Sequence, residues 1–488
     1  SPVYPSPNKD NGYDISDYCN IHPNYGTLQD MDTLIAEAKK RDIRIIMDLV
    51  INHTSDQHEW FQKSRRRIEP YTDYYIWRKG EKGKKPTNWG NFFGGDCWEY
   101  DDLCGEYYLH LFAKEQPDLN YHNEAVIEAI EEAMHFWLER GVAGFRCDVI
   151  NIIYKEAIKN GKWRPALTGS EYYLSTPGCH RVLHRLHEDV LAKYDAFTVG
   201  ETVFVTPKMA DDLVNPARGE LSTVFAFEHM ETDCYKIKWF LRRFSPDRFF
   251  ACLTKWQKAL PWNTVYLENH DQPRSVSRFG NDTQYHDESA KALATLVLTL
   301  RGTPFLYEGQ EIGMTNFDFS GMEKVQDVES INIWNMGKQL HLPYSLRWRM
   351  IKTKSRDNAR TPMQWNDSPN AGFTTGMPWL SVNGNYPRIN VAEQENAPNS
   401  VLAYYRQLIA FRNGSEILQA GDFSELYRKD GVYAYRRSLN VESLIVVISL
   451  SAKERPNPVS GTVVLSNYGR QESPACLSPY EALILREV

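Results

Sequence analysis

Three carboxylates stand where short apolar runs stop. They are Asp148 after Gly144-Phe145-Arg146-Cys147, Glu201 after the run 196–200, and Asp271 within Glu268-Asn269-His270-Asp271. Side chains alternate across a strand, so Arg146 and Asp148 point to one face while Phe145 and Cys147 point to the other. Two charges on the inner face of a strand are costly unless each offsets the other. The pair is therefore either a structural ion pair or a carboxylate aimed at a pocket. Glu201, Asp271 and the Asn52-His53 pair at further strand ends favour the pocket. Carboxylates without a metal-type ligand set suit cleavage of a glycosidic bond, where an ionised carboxylate attacks and a protonated one serves the leaving oxygen. The sequence has no nucleophile elbow with a Ser/His/Asp set, no phosphate-cradling glycine loop and no zinc helix motif. His53 and His270 read as donors to hydroxyls, or as structural hydrogen-bonding groups.

Those carboxylates need a scaffold that brings several strand ends to one rim. The pattern predicts a helix over 31–40 and a buried strand over 43–50 that ends in Asp48-Leu49-Val50-Ile51-Asn52-His53. An amphipathic helix over 123–140 follows, with Val126, Ile130, Met134 and Trp137 on one stripe, Asn123 as N-cap and Gly141 just past the end. Further on, helices at 182–193, 249–260 and 290–300 alternate with strands at 196–200, 221–227, 264–268 and 303–307. Short apolar strands alternating with helices argue for a parallel α/β domain, and in a parallel barrel the strand C-termini converge on one rim. The irregular stretch 54–120 is long for a plain loop and reads as an inserted subdomain. Residues 309–399 read as loops and short helices, and 401–412 as a closing helix. After Gly414 the texture changes to short alternating strands, the mark of an antiparallel β domain. The expected division is a barrel from 1–53 and 121–414, an insertion at 54–120, and a β domain at 415–488.

Composition narrows the class without choosing it. A chain of 488 residues with a net charge of -7 is long enough for two or three domains and has no basic excess for nucleic acid. The longest apolar stretch, 292–300, is too short to cross a bilayer, and nothing at the start reads as a leader. Eight scattered cysteines without metal spacing suggest a reduced, cytoplasmic protein.

The motifs together resemble the α-amylase family of glycoside hydrolases, in particular its oligo-1,6-glucosidase and α-glucosidase branch. The matching stretches are Asp48-Leu49-Val50-Ile51-Asn52-His53, Gly144-Phe145-Arg146-Cys147-Asp148, Val199-Gly200-Glu201-Thr202 and Glu268-Asn269-His270-Asp271-Gln272-Pro273-Arg274. Gln116-Pro117-Asp118-Leu119-Asn120 resembles the marker of the oligo-1,6-glucosidase branch, although Tyr121-His122 follows where Trp-Glu is usual. Gly302-Thr303-Pro304 with Tyr307-Glu308-Gly309-Gln310-Glu311, the run from Arg356 to Trp365, and Pro479-Tyr480-Glu481-Ala482-Leu483 also fit.

The resemblance implies a (β/α)8 barrel with an inserted subdomain and a C-terminal antiparallel β domain. It makes Asp148 the nucleophile, Glu201 the general acid and base, and Asp271 the holder of the 2- and 3-hydroxyls. Arg146 would orient Asp148 and keep it ionised, with Asp48 in the same ion network and Asn52 and Glu268 in support. His53 and His270 would bind glycone hydroxyls, Tyr13 would stack beneath the ring, and Asp10 with Arg360 would close the far end of an exo-acting pocket. Phe93 and Phe112 read as pocket walls or as core aromatics. Retention requires Asp148 and Glu201 roughly 5–5.5 Å apart. Members cutting α-1,6 bonds tend to carry Val after the nucleophile and those cutting α-1,4 bonds Ala, so Val149 points to isomaltose, short isomalto-oligosaccharides and panose.

The expected protein is a cytoplasmic monomer acting on a small oligosaccharide, with no cofactor, nucleic acid or membrane. The alternatives are an α-1,4-glucosidase, a trehalose-6-phosphate hydrolase, a transglycosylating isomerase, or a non-catalytic carbohydrate-binding or transporter-associated member. The resemblance also places the family's first strand, first helix and most of its second strand before Ser1, with any structural calcium there. A barrel lacking them would have open sheet edges, low stability and little activity.

Overall fold

The computed structural model describes residues 1–164, 167–235 and 237–487. Its contacts divide it into two compact units, residues 1–227 and 228–488. Among the described residues no helix is long and apolar enough to cross a membrane.

A four-stranded parallel sheet centres the first unit. In chain order its strands are β1 Met47–Leu49, β5 Gly144–Cys147, β6 Phe197–Glu201 and β7 Thr223–Phe225, and they lie side by side in that order. Asp48 pairs with Arg146, Cys147 with Gly200, and Glu201 with Phe225, so the C-terminal ends coincide. β1 is shorter than the predicted 43–50, with Ile43 in solvent. Between β1 and the helix Glu124–Glu139 lie β2 Trp77–Arg78, β3 Trp98–Asp101 and β4 Glu106–Leu109, an antiparallel sheet within the stretch 54–120.

Local signals explain the helices. Thr27 and Asp30 form a capping box for Leu28–Lys39, and Asn123 caps Glu124–Glu139, whose apolar face buries Val126, Ile130, Met134 and Trp137. The helix predicted at 182–193 starts earlier, at Pro177, because Thr176 caps it and proline suits the first turn. Gly144 is required where β5 begins: at φ +151° an added Cβ would sit 1.8 Å from the Phe197 carbonyl oxygen.

The second unit opens with the hairpin β8 Cys234–Tyr235 and β9 Ile237–Leu241, then the parallel pair β10 Thr264–Val265 and β11 Thr303–Pro304. The stretch read as loops and short helices, 309–399, contains the helices Val328–Gln339 and Tyr344–Lys354. They pack around Trp239, Phe319, Val325, Trp334, Met350 and Ile351. The final part is a five-stranded antiparallel sheet of β12 Asp422–Lys429, β13 Val432–Leu439, β14 Glu442–Ser449, β16 Thr462–Ser466 and β18 Ala482–Arg486, with the short pair β15 Arg455–Pro456 and β17 Cys476–Leu477. Two buried guanidiniums meet the end of the helix His286–Thr299, Arg437 from this sheet and Arg412 from the helix Val401–Asn413. Arg412 donates to the Leu298 and Gly302 carbonyls, and Arg437 to those of Thr299, Leu418 and Gly421. The last carbonyls of a helix have no partner within it, and these arginines supply one.

Candidate active site

In the first unit the strand ends converge on Arg146. Its Nη1 lies 2.8 Å from Asp48 Oδ1 and 2.6 Å from Asp148 Oδ1, and its Nη2 lies 2.8 Å from Glu201 Oε2. The in-register ladder causes this: Asp48 and Arg146 are paired residues, and the Asp148 N–H still bonds to the Leu49 carbonyl at 3.0 Å. The chain then turns at Val149, whose φ of +36° is unusual for a β-branched residue. Its N–H donates to Glu201 Oε2 at 3.3 Å. Asn151, fully buried, exchanges two hydrogen bonds with Val203, which fixes the segment leaving Glu201. Tyr13 donates its hydroxyl to Asp48 Oδ2 at 2.8 Å and presents its ring face to Arg146 at 5.5 Å.

One guanidinium thus faces three carboxylates. Burial works against the Arg146 charge, yet Asp48, Glu201, Tyr13 and Asp148 hold it protonated well above the ordinary arginine range. Burial pushes the Asp148 carboxyl well above the usual range; Arg146 pulls it down, while Glu201 and Asp48 push it up again. The one cation is shared among the three carboxylates.

Behind β1, buried tyrosines take the carbonyls that would otherwise be left unpaired. Tyr4 bonds to the Asp48 oxygen, Tyr18 to those of Val50 and His53, and Tyr121 to that of Ile51. This holds Asn52 and His53 in place. Phe112 packs on the His53 ring at 5.0 Å, and Phe93 meets Phe112 edge-on at 5.7 Å. Burial pushes His53 down to about 4, so its imidazole is neutral at pH 7. Gln116 donates to Asp10 Oδ2 at 3.3 Å. Asp10 sits on a loop built by Asp14, whose carboxylate accepts from the Lys9 N–H, the Asp10 N–H and the Ser6 hydroxyl.

The second unit carries the other carboxylate. Asp271 Oδ1 lies 2.6 Å from Arg360 Nη2 and 3.5 Å from Arg356 Nη1, and Oδ2 lies 3.4 Å from His270 Nε2. Burial alone would raise this carboxyl, but His270, Arg356, Arg360 and Lys238 outweigh it and hold it well below the usual range. Arg360 also donates from Nε to the His270 carbonyl at 2.8 Å. Glu268 is buried as a scaffold group: it accepts from Ser275 and from Arg274, which continues to the Glu308 and Ala359 carbonyls. Arg274 therefore ties Glu268 to the residue preceding Arg360.

The arrangement is built for carboxylate chemistry on a neutral, hydroxyl-rich ligand. Among the described residues no group of three or more His, Cys, Asp or Glu side chains is placed to hold a metal ion. The family model for the alpha-amylase catalytic domain matches residues 1–421. The chain belongs to the alpha-amylase family.

Within that family the chain is 46% identical to the oligo-1,6-glucosidase of Parageobacillus thermoglucosidasius over 509 aligned residues, covering 100% of this chain and 90% of that protein. The trehalose-6-phosphate hydrolase of Bacillus subtilis is 40% identical over 506 residues, with the same coverage. Among solved structures, isomaltulose synthase from Klebsiella sp. LX3 superposes with a TM-score of 0.96 at 38% identity, covering 99% of this chain and 90% of that one. This alpha-amylase family member is a glycoside hydrolase with a (β/α)8 barrel and a C-terminal antiparallel β domain.

Sequence reasoning assigned no role to several residues that contact the candidate site residues. Lys155 is buried between Asp118 and Asn52, Gln116 bridges Asp10 and Tyr13, and Arg356 reaches Asp271 while held by Asp327. The Gln116–Asn120 marker was one available signal. Lys155 carried none, since it follows a turn and no period exposes it.

Proposed function

We propose that the chain is an exo-acting, retaining α-glucosidase that removes terminal non-reducing α-1,6-linked glucose from isomaltose and short isomalto-oligosaccharides. The observation that carries the reading is the grip of one guanidinium, Arg146, on both Asp148 and Glu201. Two carboxylates held by the ends of one planar group are near neighbours, the arrangement that a double displacement requires. In the first step the Asp148 carboxylate attacks the anomeric carbon while Glu201 gives its proton to the glycosidic oxygen, and the aglycone leaves. In the second, Glu201 takes a proton from water, which attacks the same carbon and frees Asp148.

Asp271, kept anionic by its arginines, is assigned to the 2- and 3-hydroxyls, and His53 and His270 to other glycone hydroxyls. Tyr13, Phe93 and Phe112 are assigned to the walls, and Asp10 and Arg360 to the closed end. The α-1,6 preference rests on Val149 and on relatives described as oligo-1,6-glucosidase at 45–46% identity and glucan 1,6-alpha-glucosidase at 42%. The same proposal takes 1–53 and 121–414 as the barrel, 54–120 as the insertion and 415–488 as the β domain. The antiparallel sheets of β2–β4 and of β12–β18 support that division. It also takes the enzyme as a cofactor-free cytoplasmic monomer. All eight cysteines are unpaired, which suits a reducing compartment.

A second reading is hydrolysis of trehalose-6-phosphate, favoured by full-length similarity to enzymes so described. Glucose release from isomaltose, maltose, panose, sucrose and trehalose-6-phosphate separates the two. Isomaltose and panose should be the best substrates, and the activity should vanish in Asp148→Asn.

A further inference from the structure

We propose that Lys155 is a positioning residue that sets the tautomer of His53: by holding the side-chain oxygen of Asn52, it forces Asn52 to donate to Nδ1 of His53, and the ring proton resides on Nε2. The argument begins with an ammonium group, which has only donors. Lys155 Nζ lies 2.6 Å from Asp118 Oδ2 and 2.6 Å from Asn52 Oδ1, and its side chain is almost wholly buried. The Asn52 atom facing it must be the oxygen, because an amide NH2 there would set donor against cation. The Asn52 NH2 is thereby turned to His53 Nδ1, 3.1 Å away. An NH2 group can only donate, so Nδ1 must offer its lone pair. The neutral imidazole then has one place left for its proton.

The other end of the ring provides an independent check. His53 Nε2 lies 3.2 Å from the Tyr13 carbonyl oxygen, which can only accept. Gln116 Nε2 is 3.1 Å from the same ring nitrogen and 3.3 Å from both the Tyr13 carbonyl and Asp10 Oδ2; two oxygens that can only accept are enough to take its two hydrogens, which leaves the ring proton to the Tyr13 carbonyl. Its oxygen takes the Ala113 N–H at 3.0 Å, so the amide cannot turn over. The opposite tautomer would place N–H against the Asn52 NH2 at one end of the ring, and at the other it would draw the Gln116 NH2 away from Tyr13 and Asp10. Buried groups so mismatched each cost about 1–3 kcal/mol.

The consequence reaches the carboxylates. The His53 N–H and the Gln116 amide together fix the Tyr13 carbonyl, and the Tyr13 hydroxyl holds Asp48, which shares Arg146 with Asp148. A buried lysine without access to substrate therefore determines which face of His53 donates, and steadies the residue that packs against Arg146. The link to glucose binding rests on the function proposed above; the tautomer does not.

The test is two-bond hydrogen–nitrogen correlation on full-length protein labelled with 15N-histidine, with the His53 signals identified by their absence in His53→Gln. Wild type should show His53 as the pure Nε2–H form. Lys155→Met leaves Asp118 as a buried, unpaired carboxylate and is open to misfolding, so the decisive variant is Lys155→Met with Asp118→Asn. In it the pure Nε2–H signature should be lost and kcat/KM on isomaltose should fall roughly tenfold, the worth of about one hydrogen bond. Asn52→Asp, which can only accept, should move the proton to Nδ1. A wild-type Nδ1–H form, or an unaltered Nε2–H form in the double variant, overturns the proposal. A protein inactive on isomaltose that still shows the tautomer changes supports it and overturns the substrate reading instead.

Discussion

Val149 donates its backbone N–H to Glu201 Oε2 at 3.3 Å from a left-handed conformation, φ +36°. The residue after the candidate nucleophile thus also holds the candidate acid. Its side chain is buried with Trp98, Leu109, Leu111 and Tyr173. Val149→Ala removes two methyl groups and relieves a strained β-branched residue while keeping the N–H in place. Maltose hydrolysis should rise relative to isomaltose, by about tenfold if the methyls act as a pocket wall. An unchanged ratio of the two kcat/KM values would sink the linkage argument.

The double displacement makes a stereochemical commitment. Glucose first released from isomaltose should be the α-anomer, as read by proton NMR before mutarotation. Initial β-glucose would mean inversion and would remove Asp148 from the nucleophile's role.

Asp233 provides a pH prediction away from the carboxylate cluster. Burial would raise its carboxyl, but Arg278 and Lys354 bring it down to about 2. A folded-state value below the unfolded one means stability that is present above about pH 4 and lost as pH falls toward 2. Lys354 is pushed down to about 8 by burial and by Arg278, so its charged form costs part of that gain. Thermal melts from pH 5 to pH 2 should show a steep loss in wild type. Asp233→Asn should be less stable at pH 7 and flatter below pH 4; a parallel pair of curves would refute this.

Two glycines with positive φ should respond very differently to alanine. Gly144→Ala places a Cβ 1.8 Å from a main-chain oxygen of the neighbouring strand, a clash that no side-chain movement can relieve. Gly469 has φ +69° and nothing within 4 Å of the new atom. Gly469→Ala should cost only about 1 kcal/mol of backbone strain, while Gly144→Ala should give no folded enzyme. Comparable melting temperatures for the two would contradict the register at β5.

Asp14 should act through the loop it organises. Asp14→Ala leaves the Lys9 and Asp10 N–H groups without their acceptor, costing about 1–3 kcal/mol locally. The expected readout is a raised KM for isomaltose with a smaller change in kcat, because Asp10 and Tyr13 share that loop. A change in kcat alone would argue against it.

What the sequence disclosed follows from where polarity breaks a pattern. Asp48, Asp148 and Glu201 interrupt or end apolar runs, and an apolar run has few reasons to stop on an acid. The caps of Asn123 and Gly141 were legible for the same local reason. Lys155 was hidden because its partners are remote: Asn52 lies 103 residues away, and no window holds both. Short helices were read somewhere in 309–399, but the bounds of Val328–Gln339 and Tyr344–Lys354 were not legible, because polar and β-branched residues dilute the apolar stripe that packs with Trp239. Sequence displays the arginine two residues before Asp148, and does not display that Asp48 and Glu201 share its guanidinium.

The guanidiniums of Arg412 and Arg437, capping the helix His286–Thr299, bear on how this enzyme can be engineered. Arg412 comes from the helix Val401–Asn413, but Arg437 comes from the terminal sheet and pairs the last carbonyl of a catalytic-domain helix, so the sheet is unsuited to trimming or to exchange with a relative's module. A graft that keeps the barrel but replaces the sheet must bring its own arginine at 437, or leave the Thr299 carbonyl buried and unpaired.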